Sequence, residues 1–129
     1  MAENAQFTAT ANTARVRIST ANTNRDGSGT IGNVFAAGAS GSRIERVRIK
    51  ATSTTTAGMV RMYTYDGSTY RLYEEIAVSA ITPSATVESF EATVTLGNGA
   101  PLTLATGWSL GFSTHNAETF DVTVIGGDF

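Results

Sequence analysis

GMVRMYTYDGSTYRLYEEI, residues 58–76, is two runs rich in Val, Met, Tyr and Leu separated by Asp66-Gly67-Ser68-Thr69. A turn cluster between two such runs is the sequence signature of a β-hairpin. A two-residue loop would set Arg61 against Leu72 and Met62 against Arg71. A four-residue loop, Asp66 to Thr69, instead pairs Met59 with Ile76, Arg61 with Glu74, Tyr63 with Leu72 and Tyr65 with Tyr70, with Met62 facing Tyr73 on the other side. Apolar, aromatic and opposite-charge cross-strand pairs each contribute about 0.2–1 kcal/mol, which favours the longer loop. Tyrosine and arginine fall on both faces of this hairpin. Either it has one ordinary wet side, or one face meets the core and the other a partner, since Tyr, Met and Arg are enriched at interfaces.

The rest of the chain agrees with a β architecture. It has 129 residues, two prolines, thirteen glycines and abundant threonine, and no amphipathic helical window of useful length. That length suits one domain with a core that needs no staples. With no cysteine, a disulfide framework and a thiolate metal site are both excluded. No apolar run approaches a membrane span, and MAENAQFTAT lacks the basic and apolar regions of a secretory signal, so neither is expected.

Charge is unevenly distributed. Residues 1–71 carry a net +5 and residues 72–129 a net −7, and eight of the nine basic residues are arginine. One reading is charge matching between strands of the same sheet system. The sharper one is a basic face of one subunit meeting an acidic face of its neighbour, where planar arginine suits bidentate pairing with carboxylates.

Outward from the hairpin, residues 1–14 are small and polar and read as a short flexible N-terminal arm, with the domain proper at 15–129. Arg15 to Ser19 alternates, with Val16 and Ile18 inward. Residues 21–29 form a loop, and 30–37 a strand using Ile31, Val34 and Phe35. In SRIERVRIKA (42–51), Val47, Ile49 and Ala51 share a parity that Ile44 does not. A β-bulge near Glu45-Arg46 would return all the large aliphatics to one face and leave Arg46, Arg48 and Lys50 as a basic row outside. Phe90, Ala92, Val94 and Leu96 point inward from 86–96, Gly97-Asn98-Gly99 turns, and Leu102 and Leu104 make a short edge. Trp108, Leu110 and Phe112 then point inward, and Phe120, Val122 and Val124 finish a closing hairpin around the His115–Glu118 turn. Eight or nine strands with such turn spacing predict an all-β chain, a single antiparallel β-sandwich or jelly roll.

Catalytic chemistry finds little support. His115 is the only histidine; Asp121 could join it in a Ser-His-Asp set, but no G-x-S-x-G elbow is present. Glu74-Glu75 or Glu88 and Glu91 could be imagined as a glycosidase pair, although strand carboxylates are usually solvated or paired with Arg. Residues 22–33 open with calcium-loop spacing but carry Arg25 within and Asn33 at the twelfth position, so a plain Asx-rich turn is preferred. Nucleic-acid binding would combine Arg43, Arg46, Arg48, Lys50 and Arg61 with Tyr63 and Tyr65, against a negative overall charge and without a known module's signature. The expectation is no enzyme, no cofactor, no metal, no nucleic acid and no membrane.

TTTAGMVRMYTYDGSTYRLYEEI (54–76), TPSATVESFEATV (82–94) and GWSLGFSTHNAETFDVTVIGGDF (107–129) together resemble small structural proteins from the virion modules of tailed bacteriophages. The resemblance covers roughly residues 42–129 and is to capsid decoration (cement) proteins. It implies a β-sandwich or jelly roll that sits as a homotrimer on the capsid surface, clamps neighbouring major capsid proteins, and is assembled in the host cytoplasm. No catalytic motif comes with it. The expected interfaces are the N-terminal arm or the basic row Arg43, Arg46, Arg48 and Lys50 for the capsid. For the trimer they are the hairpin residues Arg61, Tyr63, Tyr65, Tyr70, Tyr73 and Glu74. A tail-associated or carbohydrate-binding module for host recognition, using Trp108 and the tyrosines, is the alternative.

Overall fold

The structure, a computed structural model, describes residues 8–96 and 102–129. The described residues form no helix and nine strands: β1 (Thr10–Ile18), β2 (Gly32–Val34), β3 (Ser42–Ala51), β4 (Gly58–Tyr65), β5 (Tyr70–Val78), β6 (Glu91–Thr95), β7 (Leu102–Leu104), β8 (Ser109–Thr114) and β9 (Phe120–Asp128). They make two sheets in which every pairing is antiparallel. The first runs β1-β9-β3-β6, with β7 also on β3; the second runs β2-β8-β4-β5. The chain is a β-sandwich.

The core between the sheets follows from alternation. Val47 and Ile49 of β3 and Val122 and Val124 of β9 meet Val60 and Met62 of β4 and Leu110 and Phe112 of β8, all fully buried. Each such side chain contributes about 1.5–3 kcal/mol on leaving water. The bulge expected in β3 is present: its register against β9 shifts between Ile44 and Arg46, so Glu45 is the extra residue and Ile44 is fully buried with its neighbours. Phe90 and Phe120 meet edge to face, centroids 6.3 Å apart.

Several expectations need correction. β1 begins at Thr10 rather than Arg15, and Thr10 to Ala14 pair with Asp128 to Val124. Strand pairing uses backbone groups, so a Thr- and Ala-rich segment can extend an edge without an apolar face of its own. Residues 1–7 of the expected arm, and the Gly97-Asn98-Gly99 turn, lie outside the described residues. The last two strands are not a hairpin. β8 is central in the second sheet and β9 in the first, so residues 115–119 carry the chain across the sandwich. β8 is buried along its whole length and fits only between two neighbours, β2 and β4. Trp108 is 38% exposed rather than inward, because it precedes β8, in a turn where its backbone amide donates to the Ala105 carbonyl at 3.1 Å.

The central hairpin keeps the four-residue loop. The Asp66 carboxylate accepts from the Ser68 and Thr69 amides at 2.9 Å each, and Tyr65 pairs with Tyr70 and Tyr63 with Leu72. Past Tyr63 the register shifts, leaving Tyr73 as the extra residue. Arg61 therefore pairs with Glu75 rather than Glu74, Met62 with Glu74 rather than Tyr73, and Met59 with Ala77 rather than Ile76. The shift sets Ile76 opposite Val60 on the core side.

A third layer covers the outer face of the second sheet. Val60 and Met62 face the core, so Arg61, Tyr63 and Tyr65 face away from it, yet Arg61 is only 2% exposed and Tyr63 fully buried. The segment 20–31 lies over them. The Asn22 amide donates to the Thr114 carbonyl at 2.8 Å, Arg61 Nη1 to the Asn22 carbonyl at 3.3 Å, and the Tyr63 hydroxyl to the Asn24 carbonyl at 2.9 Å. Gly111 of β8 must lack a side chain, since a Cβ there would lie 2.5 Å from the Tyr70 ring and 2.6 Å from Ile31.

One carboxylate ties the ends of this architecture together. Asp128 accepts from the Ser42 hydroxyl at 2.5 Å and Asn12 Nδ2 at 2.9 Å, linking β9, β3 and β1, and these bonds hold its carboxyl below the ordinary range. An unfolded chain would take up that proton first, so the contribution is present above the ordinary value of 3.8 and is lost as pH falls through the lower folded value. Asp128→Asn is therefore expected to lower stability at pH 7 and to converge with the wild type in acid. Denaturant midpoints of both proteins across that range check this.

Candidate functional site

The outer face of the first sheet is the most distinctive open surface. Because Val47 and Ile49 point inward on β3, Arg46, Arg48 and Lys50 point out. By the same alternation β9 shows Asp121, Thr123 and Ile125, β1 shows Thr13, Arg15 and Arg17, and β6 shows Glu91, Thr93 and Thr95. The registers stack these into three rows across the sheet: Arg17-Asp121-Lys50-Glu91, Arg15-Thr123-Arg48-Thr93 and Thr13-Ile125-Arg46-Thr95.

Charge is graded across the rows. In the first, signs alternate: Arg17 Nε sits 2.7 Å from Asp121, and Lys50 Nζ 3.3 Å from Glu91 and 3.7 Å from Glu88. The Arg17 hydrogen bond holds the Asp121 carboxyl below its usual range and raises the guanidinium's own pKa. The other two rows carry three arginines and no acid. Arg48 reaches diagonally to Glu91 at 3.2 Å, while Arg15 and Arg46 make no ion pair among the described residues. Strand geometry sets Arg46 and Arg48 roughly 7 Å apart, and Arg15 roughly 10 Å from Arg48 across β9. The result is a flat cationic patch around Thr123 and half-buried Ile125, rimmed by threonine.

Such a patch fits an acidic protein surface. Arginine forks match carboxylates, and an apolar point inside a polar rim is the usual anatomy of a protein contact. The acids in its first row and the lack of any aromatic side chain on the three rows fit a polyanion strand less well.

The remaining sequence-derived candidates are scattered. Arg43 is half-buried on β3, with Nε 2.9 Å from Glu45. Arg61 and Tyr63 are interior, so they are corrected from interface residues to anchors of the 20–31 segment. Tyr65 and Tyr70 stack at 4.2 Å and are half-buried, whereas Tyr73 and Glu74 are exposed on β5. The cations of β3 and the tyrosines of β4 thus lie on different sheets and do not form one groove.

His115 and Asp121 are engaged separately. His115 Nδ1 lies 3.2 Å from Arg61 Nη2 and must accept from it, because a guanidinium only donates; Asp121 is held by Arg17. Glu75 is taken up by Arg25 and Arg61, each at 2.9 Å, which lowers its pKa. In the 22–33 loop, Asn22 Nδ2 donates to the Ser28 and Thr30 carbonyls, and Asp26 accepts from the Ser28 amide and hydroxyl. Those oxygens serve the loop itself, as in a plain Asx-rich turn.

Arg15 and Arg17 were absent from the sequence-derived candidates. Their alternation with Val16 and Ile18 was a signal that they face out, but that β9 places them beside Arg48 is a long-range fact.

No family model matches the chain, and no curated protein matches it in sequence.

Proposed function

We propose that this chain is a structural virion protein of a tailed bacteriophage, a decoration or cement protein that binds the head surface and stabilises contacts between major capsid proteins. The observation that carries the docking part of this reading is the open Arg15-Arg46-Arg48 patch, in which Arg48 alone makes an ion pair among the described residues, on a chain of net charge −2. The strand order supports it as a fold analogy. With β7 set aside, the sheets are β1-β9-β3-β6 and β2-β8-β4-β5, and only the β4–β5 connection stays within one sheet, an order consistent with the jelly roll that viral capsid domains share with lectins and cupins. The sequence resemblance over residues 42–129 points the same way.

A cement protein works by adding area across joints between capsid subunits. As a homo-oligomer it makes several modest contacts at once, so release is slow without any single tight one. Electron microscopy of the parent virion tests position: density on the head is expected, and density confined to the tail would refute the reading. Double charge reversal, Arg46→Glu with Arg48→Glu, is expected to weaken binding to undecorated capsids by at least about tenfold and to flatten its salt dependence. Unchanged capture by those capsids would remove the patch from the proposal.

A host-recognition module is the second reading. The observation favouring it is a shallow depression at the hairpin turn, lined by Tyr65, Tyr70, Asp26, Ser68 and Arg71, with exposed Trp108 at the start of neighbouring β8. Saturable binding to an isolated glycan, lost in Tyr65→Ala, would favour it over the first.

A further inference from the structure

β5 is the edge of the second sheet, paired only with β4 among the described residues, and its middle is open to solvent. Within it the order Arg71, Leu72, Tyr73, Glu74 sets two large apolar side chains, 37% and 44% exposed, between opposite charges. Neither Arg71 nor Glu74 makes an ion pair among the described residues, whereas Glu75 next door is held by Arg25 and Arg61.

We infer that this segment is a self-association surface whose occupant is the same segment of a second copy, related by a two-fold axis. The argument is charge complementarity under antiparallel juxtaposition. With the axis between Leu72 and Tyr73, Arg71 faces Glu74 of the second copy, Glu74 faces its Arg71, and each Leu72 meets a Tyr73. A two-fold contact must be self-complementary, and a plus–apolar–apolar–minus order is so when read against its own reverse. In the opposite, parallel juxtaposition like charges would meet directly, which destabilises a strand pair. The extra residue at Tyr73 fits a limited contact. A bulge interrupts regular pairing along an edge, so the contact rests on these four side chains and does not propagate into a continuous ladder. The two-fold contact differs from the trimer that the virion resemblance implies, and it stands whether or not the protein sits on a capsid.

The test is sedimentation velocity of the full chain across the micromolar range, with circular dichroism confirming that each variant is folded. The wild type is expected to populate a dimer. Arg71→Glu alone and Glu74→Arg alone should each weaken self-association by at least about tenfold, because each places like charges opposite one another twice. An equimolar mixture of the two variants should regain the dimer. In the mixed pair the introduced glutamate of one variant meets the introduced arginine of the other, and the native Glu74 of the first meets the native Arg71 of the second. A wild type that stays monomeric, or forms only trimers, overturns the inference. So does a mixture that fails to associate, or single variants that dimerise as well as the wild type.

Discussion

Arg61→Ala is expected to cost about 2–5 kcal/mol of folding stability, the range for emptying the space of a large buried side chain, with buried hydrogen bonds lost besides. Chemical denaturation should show it as a lower midpoint at unchanged slope. At 2% exposure the guanidinium donates to Glu75 at 2.9 Å and the Asn22 carbonyl at 3.3 Å, and lies 3.2 Å from His115 Nδ1. Each of the three partners is met by a different nitrogen of the fork, Nε, Nη1 and Nη2, a spread that a compact ammonium does not have. Truncation leaves the Asn22 carbonyl without this donor, opens a void under the 20–31 segment, and leaves Glu75 with Arg25 alone. Arg61→Lys should fall between wild type and alanine, keeping the charge but not the geometry. Arg61→Met should be milder than alanine, because it refills the volume. A second readout separates local from global effects. Arg25 is exposed on the segment that Arg61 pins, so trypsin should cut there faster in the alanine variant under native conditions. An alanine variant within about 1 kcal/mol of wild type, with unchanged cleavage, would mean that Arg61 does not hold this layer.

That layer also marks where the sequence stopped being readable. The hairpin turn was legible because Asp66 caps its own loop, and the β3 bulge because Ile44 is out of phase with Val47 and Ile49. The shift at Tyr73 was not, since Tyr70 to Ile76 carries apolar and charged residues at both parities and no face is penalised by a one-residue slip. The partner of the tyrosine–arginine face was invisible for another reason. Arg61 and Tyr63 are satisfied by the carbonyls of Asn22 and Asn24, and a backbone carbonyl is the same whatever side chain it carries. Cross-half charge matching did appear, in Arg17–Asp121, Arg48–Glu91 and Arg61–Glu75. What that matching leaves over is Arg15 on β1 and Arg46 on β3, which flank the paired Arg48 from strands far apart in sequence. The parities of this patch could be read from the residues, but its assembly through β9 could not.

Gly126→Ala is the second large expected effect, at about 3 kcal/mol, the upper end for overpacking. Gly126 lies opposite Ile44 on β3 and Asn12 on β1, at the place where the β3 bulge begins. A Cβ there would overlap the Arg43 carbonyl oxygen and stand 3.1 Å from the Phe35 ring. The carbonyl is backbone in the middle of a sheet and cannot rotate away, so β3 must move or the β9 ladder must open. Gly107→Ala is the control. Its φ of +86° disfavours any side chain, yet nothing lies within 4 Å of the added atom, so only the conformational penalty of about 1 kcal/mol remains. Thermal unfolding should rank Gly126→Ala well below Gly107→Ala; the reverse order would mean that β3 yields easily at its bulge. The comparison reaches the proposed docking surface, because the bulge sets the parity that turns Arg46, Arg48 and Lys50 outward. If the strain is relieved by sliding β3, Gly126→Ala should weaken capsid binding more than its loss of stability explains. If it is relieved by fraying β9 past Gly126, stability should fall while the folded fraction binds as before.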